Sequence, residues 1–208
     1  PFAKWTCYDA GVHSACIVRW PGVIKPGSVS DALVEYVDIV PTFVDIAGGK
    51  PQAKVDGESF KPVLTGKKKE HKKYSFSLQT TRGINAGSPY YGIRSVYDGR
   101  YRYIVNLTPE ATFKNVETNS PLFKEWESLA ETDAHAKAMT TKYQHRPAIE
   151  LYDVKNDPYC MKNLAEDATQ TATISRLDKE LKRWMKDCGD EGQATEMRAF
   201  EHMPGKKK

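Results

Sequence analysis

The residues of this chain best suited to chemistry are cations rather than nucleophiles. Lys4, in PFAKWTCYDAG, stands beside an aromatic residue and ahead of an apolar run. Arg82, in QTTRGINAG, lies in a loop rich in glycine and polar groups where a strand is expected to end. Binding residues concentrate in such loops, although a loop arginine also serves as a surface ion pair. The run GKKKEHKK from Gly66 to Lys73 and the terminal GKKK hold much of the positive excess. They read as a solvated loop and a frayed tail, with an anion-binding surface as the alternative. His71, inside the run, reads as solvated rather than catalytic.

Other reactive types carry less. Cys7, Cys16, Cys160 and Cys188 form no Cys-x-x-Cys pair and fit no zinc spacing, so they read as unbridged, mostly packed thiols. Asn106-Leu107-Thr108 is a formal glycosylation sequon, meaningful only in a eukaryotic secretory pathway. Asn156-Asp157-Pro158 offers a carboxylate, but a turn is the expectation.

Composition bounds what these groups can belong to. The 208 residues can hold one ample core or two small ones, and 39% hydrophobic with 28% charged residues is ordinary for a globular protein. The net charge of +4, from 31 Lys and Arg against 27 Asp and Glu, falls short of a nucleic-acid-binding signature. No apolar run approaches the roughly 20 residues of a membrane span.

The elements that must position the candidates can be read in order. SACIVRW, stopped by Pro21-Gly22, predicts a buried strand. IKPGS is a turn that holds Lys25. In SDALVEYVDIVPTFVDIAGG, Leu33, Val37, Val40, Val44 and Ala47 share a face at helical spacing, and Pro41 fits the first turn of a helix running to about Ala47, capped by Gly48-Gly49. Asp56-Gly57 is a turn, with Phe60, Val63 and Leu64 anchoring the following segment to a core. KYSFSLQT predicts a strand, and YGIRSVYDGRYRYIVNL a hairpin turning at Asp98-Gly99. Residues 108 to 146 are a polar, partly helical excursion. IELYDV predicts a last strand, and ATISRLDKELKRWM a helix with Ile174, Leu177, Leu181, Trp184 and Met185 on one face. Arg176, Lys179, Lys182 and Arg183 lie off that face, as solvated surface.

AKWTCYDAGVHSACIVRWPG, YVDIVPTFVDIAGG, DGESFKPVL, YGIRSVYDGRYRYIVNL and ELYDVKNDPYCMKNLAED follow one another in an order that resembles the C-terminal end of the sulfatase family, nearest to the heparan N-sulfatases (N-sulfoglucosamine sulfohydrolases) and their bacterial relatives. The resemblance implies an α/β fold of the alkaline-phosphatase-like kind over residues 1–90 and a small α+β subdomain over 91–208, with antiparallel strands packed by a C-terminal helix. It implies hydrolysis of sulfate esters or sulfamates of glycosaminoglycan-type sugars, with a formylglycine and Ca2+ in the full-length family. It also implies a periplasmic, extracellular or lysosomal location.

The resemblance implies roles for particular residues as well. Sulfatases carry a lysine in a stretch such as K-x-T-x-Y-E/D-G-G that reaches the sulfate; Lys4 stands in the matching place, followed by Thr6, Tyr8, Asp9 and Gly11. Arg82 becomes a substrate-binding candidate for an anionic sugar. Arg94 is expected to be structural, tying the small domain to the large one. The nucleophile motif, Cys or Ser followed by x, Pro or Ala, x and Arg, follows none of the cysteines, and no metal ligands or cofactor are expected in this chain. The chain therefore reads as the C-terminal portion of a sulfatase, inactive by itself, whose partners are the N-terminal part of the enzyme and the sulfated sugar. The alternative is a non-catalytic module that binds anionic polysaccharide through its lysine-rich segments.

Overall fold

A computed structural model of the chain describes residues 3–50, 55–81 and 87–202. In chain order the elements are α1 (Asp9–Val12), α2 (Ile39–Ile46), α3 (Lys61–Leu64), β1 (Ser75–Gln79), β2 (Ile93–Tyr97), β3 (Tyr101–Asn106), α4 (Pro121–Leu129), α5 (Ala134–Gln144), β4 (Ile149–Asp153), α6 (Thr171–Asp187) and α7 (Gln193–Met197), with short 3-10 turns between. They fall into two compact units, one of residues Pro1–Ser14 and Phe76–Lys208, the other of Ala15–Ser75. The 90/91 boundary expected from sequence lies inside the first.

The larger unit is built on a sheet of order β1-β2-β3-β4. β2 and β3 form an antiparallel hairpin with Ile93 opposite Asn106 and Tyr97 opposite Arg102. Its turn is the predicted one: Gly99 has φ 93°, and the Asp98 carboxylate accepts from the backbone N–H groups of Arg100 and Tyr101 at 2.9 and 2.7 Å. β4 pairs antiparallel with β3, Tyr101 opposite Asp153. KYSFSLQT does form a strand, at the edge of this same sheet. α6 packs on β2 and β3 through Leu177 and Leu181, both fully buried, while Trp184 stacks on Phe76 with ring centroids 5.0 Å apart.

The excursion from 108 to 146 resolves into a helical hairpin of α4 against α5. Each start follows from capping chemistry. Ser120 precedes Pro121 and accepts from Phe123 N–H at 3.1 Å; Asp133 accepts from Ala136 N–H at 2.7 Å. Phe113, Phe123 and Tyr143 then join Tyr8, Tyr91, Ile93, Ile104 and Tyr152 in one aromatic-rich core.

The smaller unit departs from expectation at two places. SACIVRW is not a buried strand: residues 13–20 form neither strand nor helix, and Ile17 is 93% exposed. A strand of that composition needs neighbours on both sides, and among the described residues none pairs with it. α2 begins and ends as predicted, with Pro41 in its first turn and Gly48, at φ 76°, reversing the chain after Ala47. Its predicted apolar face, however, is not the inner one. Val37, Val40 and Ala47 are exposed and Leu33 and Val44 half-buried, whereas Pro41, Thr42 and Asp38 are buried. The helix is held by polar contacts instead: Thr42 Oγ1 donates to Asp38 C=O at 2.7 Å and accepts from Phe60 N–H at 3.0 Å. Gly57 is required here, since a Cβ would collide with the Val37 carbonyl.

Candidate functional site

Lys4 occupies an exposed turn before α1, and the sequence around it explains how the turn is made. Trp5 takes a left-handed conformation, φ 70°, an unfavourable state for a side chain of that bulk unless its surroundings enforce it. Thr6 Oγ1 supplies one enforcement by donating to Ala3 C=O at 2.7 Å, which closes a ring around Lys4 and Trp5. Gly11 supplies another: its missing side chain leaves room for Ala3 and for the Thr6 carbonyl and hydroxyl, which a Cβ would strike. The Lys4 ammonium lies 5.2 Å from the centre of the Trp5 ring, a cation–π contact that leaves it open to solvent.

Immediately after the turn the chain is anchored by two consecutive buried residues. Tyr8 OH donates to Glu150 Oε2 on β4 at 2.9 Å. Tyr152 OH donates to the same oxygen, and Asn106 Nδ2 to Glu150 Oε1 at 2.8 Å, so one buried carboxylate accepts from three side chains. Burial and the Glu150 charge push both tyrosine hydroxyls well above their ordinary values, which keeps them protonated as donors. Asp9 Oδ1 accepts from Arg102 Nη2 on β3 at 2.8 Å, and Asp9 Oδ2 lies 3.1 Å from His13 Nδ1. Arg102, itself buried, reaches Ser95 Oγ at 3.3 Å and lies over the Tyr97 ring.

Neither buried thiol is a nucleophile. Burial raises Cys7 to about 11 against the lowering effect of Arg102, and raises Cys160 likewise to about 11, so both are protonated near neutrality. Cys16 is exposed, as is Cys188 at the end of α6, so only half of the thiols are packed. Among the described residues no three His, Cys, Asp or Glu side chains converge to hold a metal ion. The calcium and formylglycine implied by the sulfatase resemblance thus find no fitting residues in the described part of this chain, and no step can be routed through them here.

The other candidates sort themselves by contact. Arg82 falls outside the described residues, as does the terminal GKKK. The Gly66–Lys73 run divides: Lys67, Lys68 and Lys69 are exposed, but His71 and Lys72 turn inward. His71 is not solvated, because its ring is packed edge-on against Phe60 and its Nε2 sits 3.3 Å from the fully buried Asp38 carboxylate. Lys72 Nζ bridges Asp38 Oδ1 at 2.8 Å and Glu35 Oε2 at 2.6 Å. Arg94 is structural, but its partners are Asp190 and Glu196, beyond α6 in its own unit. Asn106 is buried and donates to Pro147 C=O and Glu150, so the sequon amide is closed to a glycan in the folded chain. Asp157 belongs to the turn, accepting from Lys162 N–H at 2.8 Å. Arg176, Lys182 and Arg183 pair with Asp98, Asp178, Glu180 and Asp187, a neutralised helix surface.

Sequence reasoning missed Glu150 and the Asp9–Arg102 pair. A signal existed in each case: Glu150 interrupts the apolar IELYDV strand, and Arg102 falls between two tyrosines of a strand whose neighbours are buried. A charge at an inward strand position demands a partner.

Comparison with known proteins places this geometry in a lineage. Residues 1–120 match the family described as N-sulphoglucosamine sulphohydrolase, C-terminal. An ulvan-active sulfatase of Formosa agariphila is 36% identical over 187 residues, which is 90% of this chain and 36% of that protein. An N-acetylglucosamine-6-O-sulfatase of Bacteroides thetaiotaomicron is 41% identical over 63 residues, 30% of this chain and 11% of that protein. Among solved structures, a complex with the substrate D-glucosamine-2-N,6-O-disulfate superposes with a TM-score of 0.59 at 23% identity, over 85% of this chain and 29% of that one. A phosphonate monoester hydrolase of Silicibacter pomeroyi gives 0.58 at 23% identity over 91% and 32%. These two establish the fold alone. The chain spans about a third of the length of the curated relatives that it matches over most of its own length.

Proposed function

Because this chain belongs to the N-sulphoglucosamine sulphohydrolase C-terminal family and is the C-terminal part of a sulfatase, we propose that it completes the substrate pocket of an enzyme hydrolysing sulfate or sulfamate groups on glycosaminoglycan-type sugars. Lys4 is its contribution to the chemistry. The ammonium offsets charge on the sulfate oxygens of the bound sugar and, more strongly, as charge develops in the transition state. A formylglycine nucleophile and a calcium ion, where the family resemblance implies them, would have to be held by residues outside the described part of this chain. Arg82 is a further cation for the sugar. The enzyme works in the periplasm, outside the cell or in the lysosome; no helix among the described residues is long and apolar enough to cross a membrane.

The observation that carries the reading is the family match over residues 1–120 with Lys4 inside it, on an exposed turn fixed by Thr6 and Gly11. Its test is Lys4→Ala in the intact sulfatase, assayed on N-sulfoglucosamine, on 6-O-sulfated N-acetylglucosamine and on ulvan fragments. Loss of one charge-assisted contact to the sulfate corresponds to about 3 kcal/mol, or roughly a hundredfold in kcat/KM on the preferred substrate. Lys4→Arg retains part of the activity, and Lys25→Ala, in an exposed turn of the smaller unit, retains nearly all. A Lys4→Ala enzyme within twofold of the parent rules out the sulfate contact, and preference for ulvan fragments rules out the glycosaminoglycan assignment.

A further inference from the structure

We propose that Arg102 is a positioning residue for the sulfatase reaction, acting through Asp9 on the turn that presents Lys4. The inference rests on the reading of Lys4 as a sulfate contact. Three observations carry it. First, the turn is costly to hold: Trp5 is left-handed, and Thr6 and Gly11 fold the backbone back over α1. A four-residue helix offers little intrinsic stability, so whatever fixes α1 fixes the turn.

Second, the only side chain of α1 that is buried is Asp9, and Arg102 reaches it from the middle of the sheet, 93 residues away in sequence. Arg102 sits on β3, an interior strand between β2 and β4, and its own direction is set by Ser95 Oγ and the Tyr97 ring. The guanidinium therefore transmits the rigidity of the sheet to α1. Third, Tyr8 already secures the chain to β4 through Glu150. One tether allows the turn to pivot about it; the second, on the neighbouring residue and the neighbouring strand, removes that freedom. The pair is mostly buried, so it holds in salt where an exposed pair would be screened.

Arg102 makes its described contacts with Asp9, Ser95 and the Tyr97 ring, all within the protein. Its effect is on where the Lys4 ammonium stands, and a displacement of about 1 Å in a catalytic group can cost up to about a hundredfold. Glu150 shares the anchoring, but its three hydrogen-bond donors tie it to the core as a whole, so its removal would confound position with stability.

The test is a double-mutant cycle in the intact sulfatase, measured as kcat/KM on the preferred sulfated sugar. Arg102→Met is expected to lose about ten- to a hundredfold, with hydrogen exchange accelerated in residues 3–12 and unchanged in β2 and β3. The decisive result is the double variant: Lys4→Ala with Arg102→Met is expected to be as slow as Lys4→Ala alone, because a displaced ammonium and an absent one are equivalent. Arg102→Lys, which keeps a charge for Asp9, is expected to recover part of the loss. Losses that multiply in the double variant would show that Arg102 acts elsewhere, and a parental rate for Arg102→Met would remove the role altogether. Should Arg102→Met fail to fold, Asp9→Asn breaks the same ion pair from the α1 end and must give the same non-additivity. If Lys4→Ala itself leaves the rate unchanged, the sulfate-contact reading fails, and this inference falls with it.

Discussion

Gly11 shows how much one absent methyl decides. A side chain there would intrude on the Ala3 carbonyl and on both oxygens of Thr6, so the turn that carries Lys4 closes only over a glycine. Gly11→Ala is expected to open that turn, at a cost of about 1–3 kcal/mol, and to lower the activity of the intact sulfatase while the sheet stays folded. The check is circular dichroism beside kcat/KM: lost secondary structure in step with lost activity would mean that Gly11 serves the whole unit. Glu150 is the opposite kind of residue. Removing its carboxylate in Glu150→Ala orphans donors on Tyr8, Tyr152 and Asn106, and the loss is expected to be about 3 kcal/mol, read as a fall of several degrees in Tm. A Tm within a degree of the parent would contradict this.

At the scale of elements, the hub around Asp38 explains why the smaller unit holds its shape with few buried apolar residues. The carboxylate accepts from the backbone N–H of Glu35 and of Glu58, both at 2.9 Å, and pairs with Lys72, so it joins three separate segments. Burial alone would raise the Asp38 carboxyl, but these hydrogen bonds outweigh it and hold the group below its usual range. Burial would likewise lower Lys72, and its carboxylate partners outweigh that and raise it. The signs set a window. A depressed carboxyl stabilises above the ordinary Asp value of about 3.9 and loses that contribution as pH falls through its folded value. A raised lysine stabilises below its ordinary value of about 10.4 and loses it as pH rises through its folded value. The contribution of the Asp38–Lys72 pair to thermal stability is expected to be flat between those limits and to weaken outside them, and Asp38→Ala is expected to cost about 3 kcal/mol in the middle of the window and to flatten the acid limb. An unchanged acid limb in that variant would assign acid sensitivity to other carboxylates.

The same elements show where sequence was legible. The hairpin, the last strand, α6 and the bounds of α2 were readable because each is specified locally: Asp98-Gly99 at a turn, an amphipathic period, Pro41 and Gly48 at helix ends. The helical hairpin of 121–144 carried local marks too, in Ser120-Pro121 and Asp133, but its polar composition masked the period. SACIVRW failed because an apolar run states that a strand wants neighbours, not that it has them. His71 failed because a lysine-rich context says nothing about a carboxylate 33 residues upstream. Of the candidate site, sequence named Lys4 alone; the Asp9–Arg102 and Tyr8–Glu150 tethers are long-range pairings that no local pattern announces.

At the scale of the whole molecule, the apolar side chains left in solvent set the strongest expectation. Singly exposed apolar residues are ordinary. Within residues 15–75, however, Ile17, Val29, Tyr36, Val40 and Phe43 are each more than half exposed, and Ile17 and Val29 more than nine-tenths. Val40 and Phe43 lie three residues apart on α2 and therefore on one side of it. Apolar surface of this amount promotes association. The purified 208-residue protein is accordingly expected to bind a hydrophobic dye such as ANS and to self-associate with rising concentration. Val40→Ser with Phe43→Ser is expected to reduce both while the Asp38 hub, on the buried side, keeps the unit folded. If the remainder of the enzyme packs on these side chains, the intact sulfatase is expected to bind less dye per molecule. Sedimentation velocity decides the matter. A monomer at all concentrations, with dye binding no greater than that of the intact enzyme, would mean that these residues are tolerated in water and that the smaller unit needs no cover.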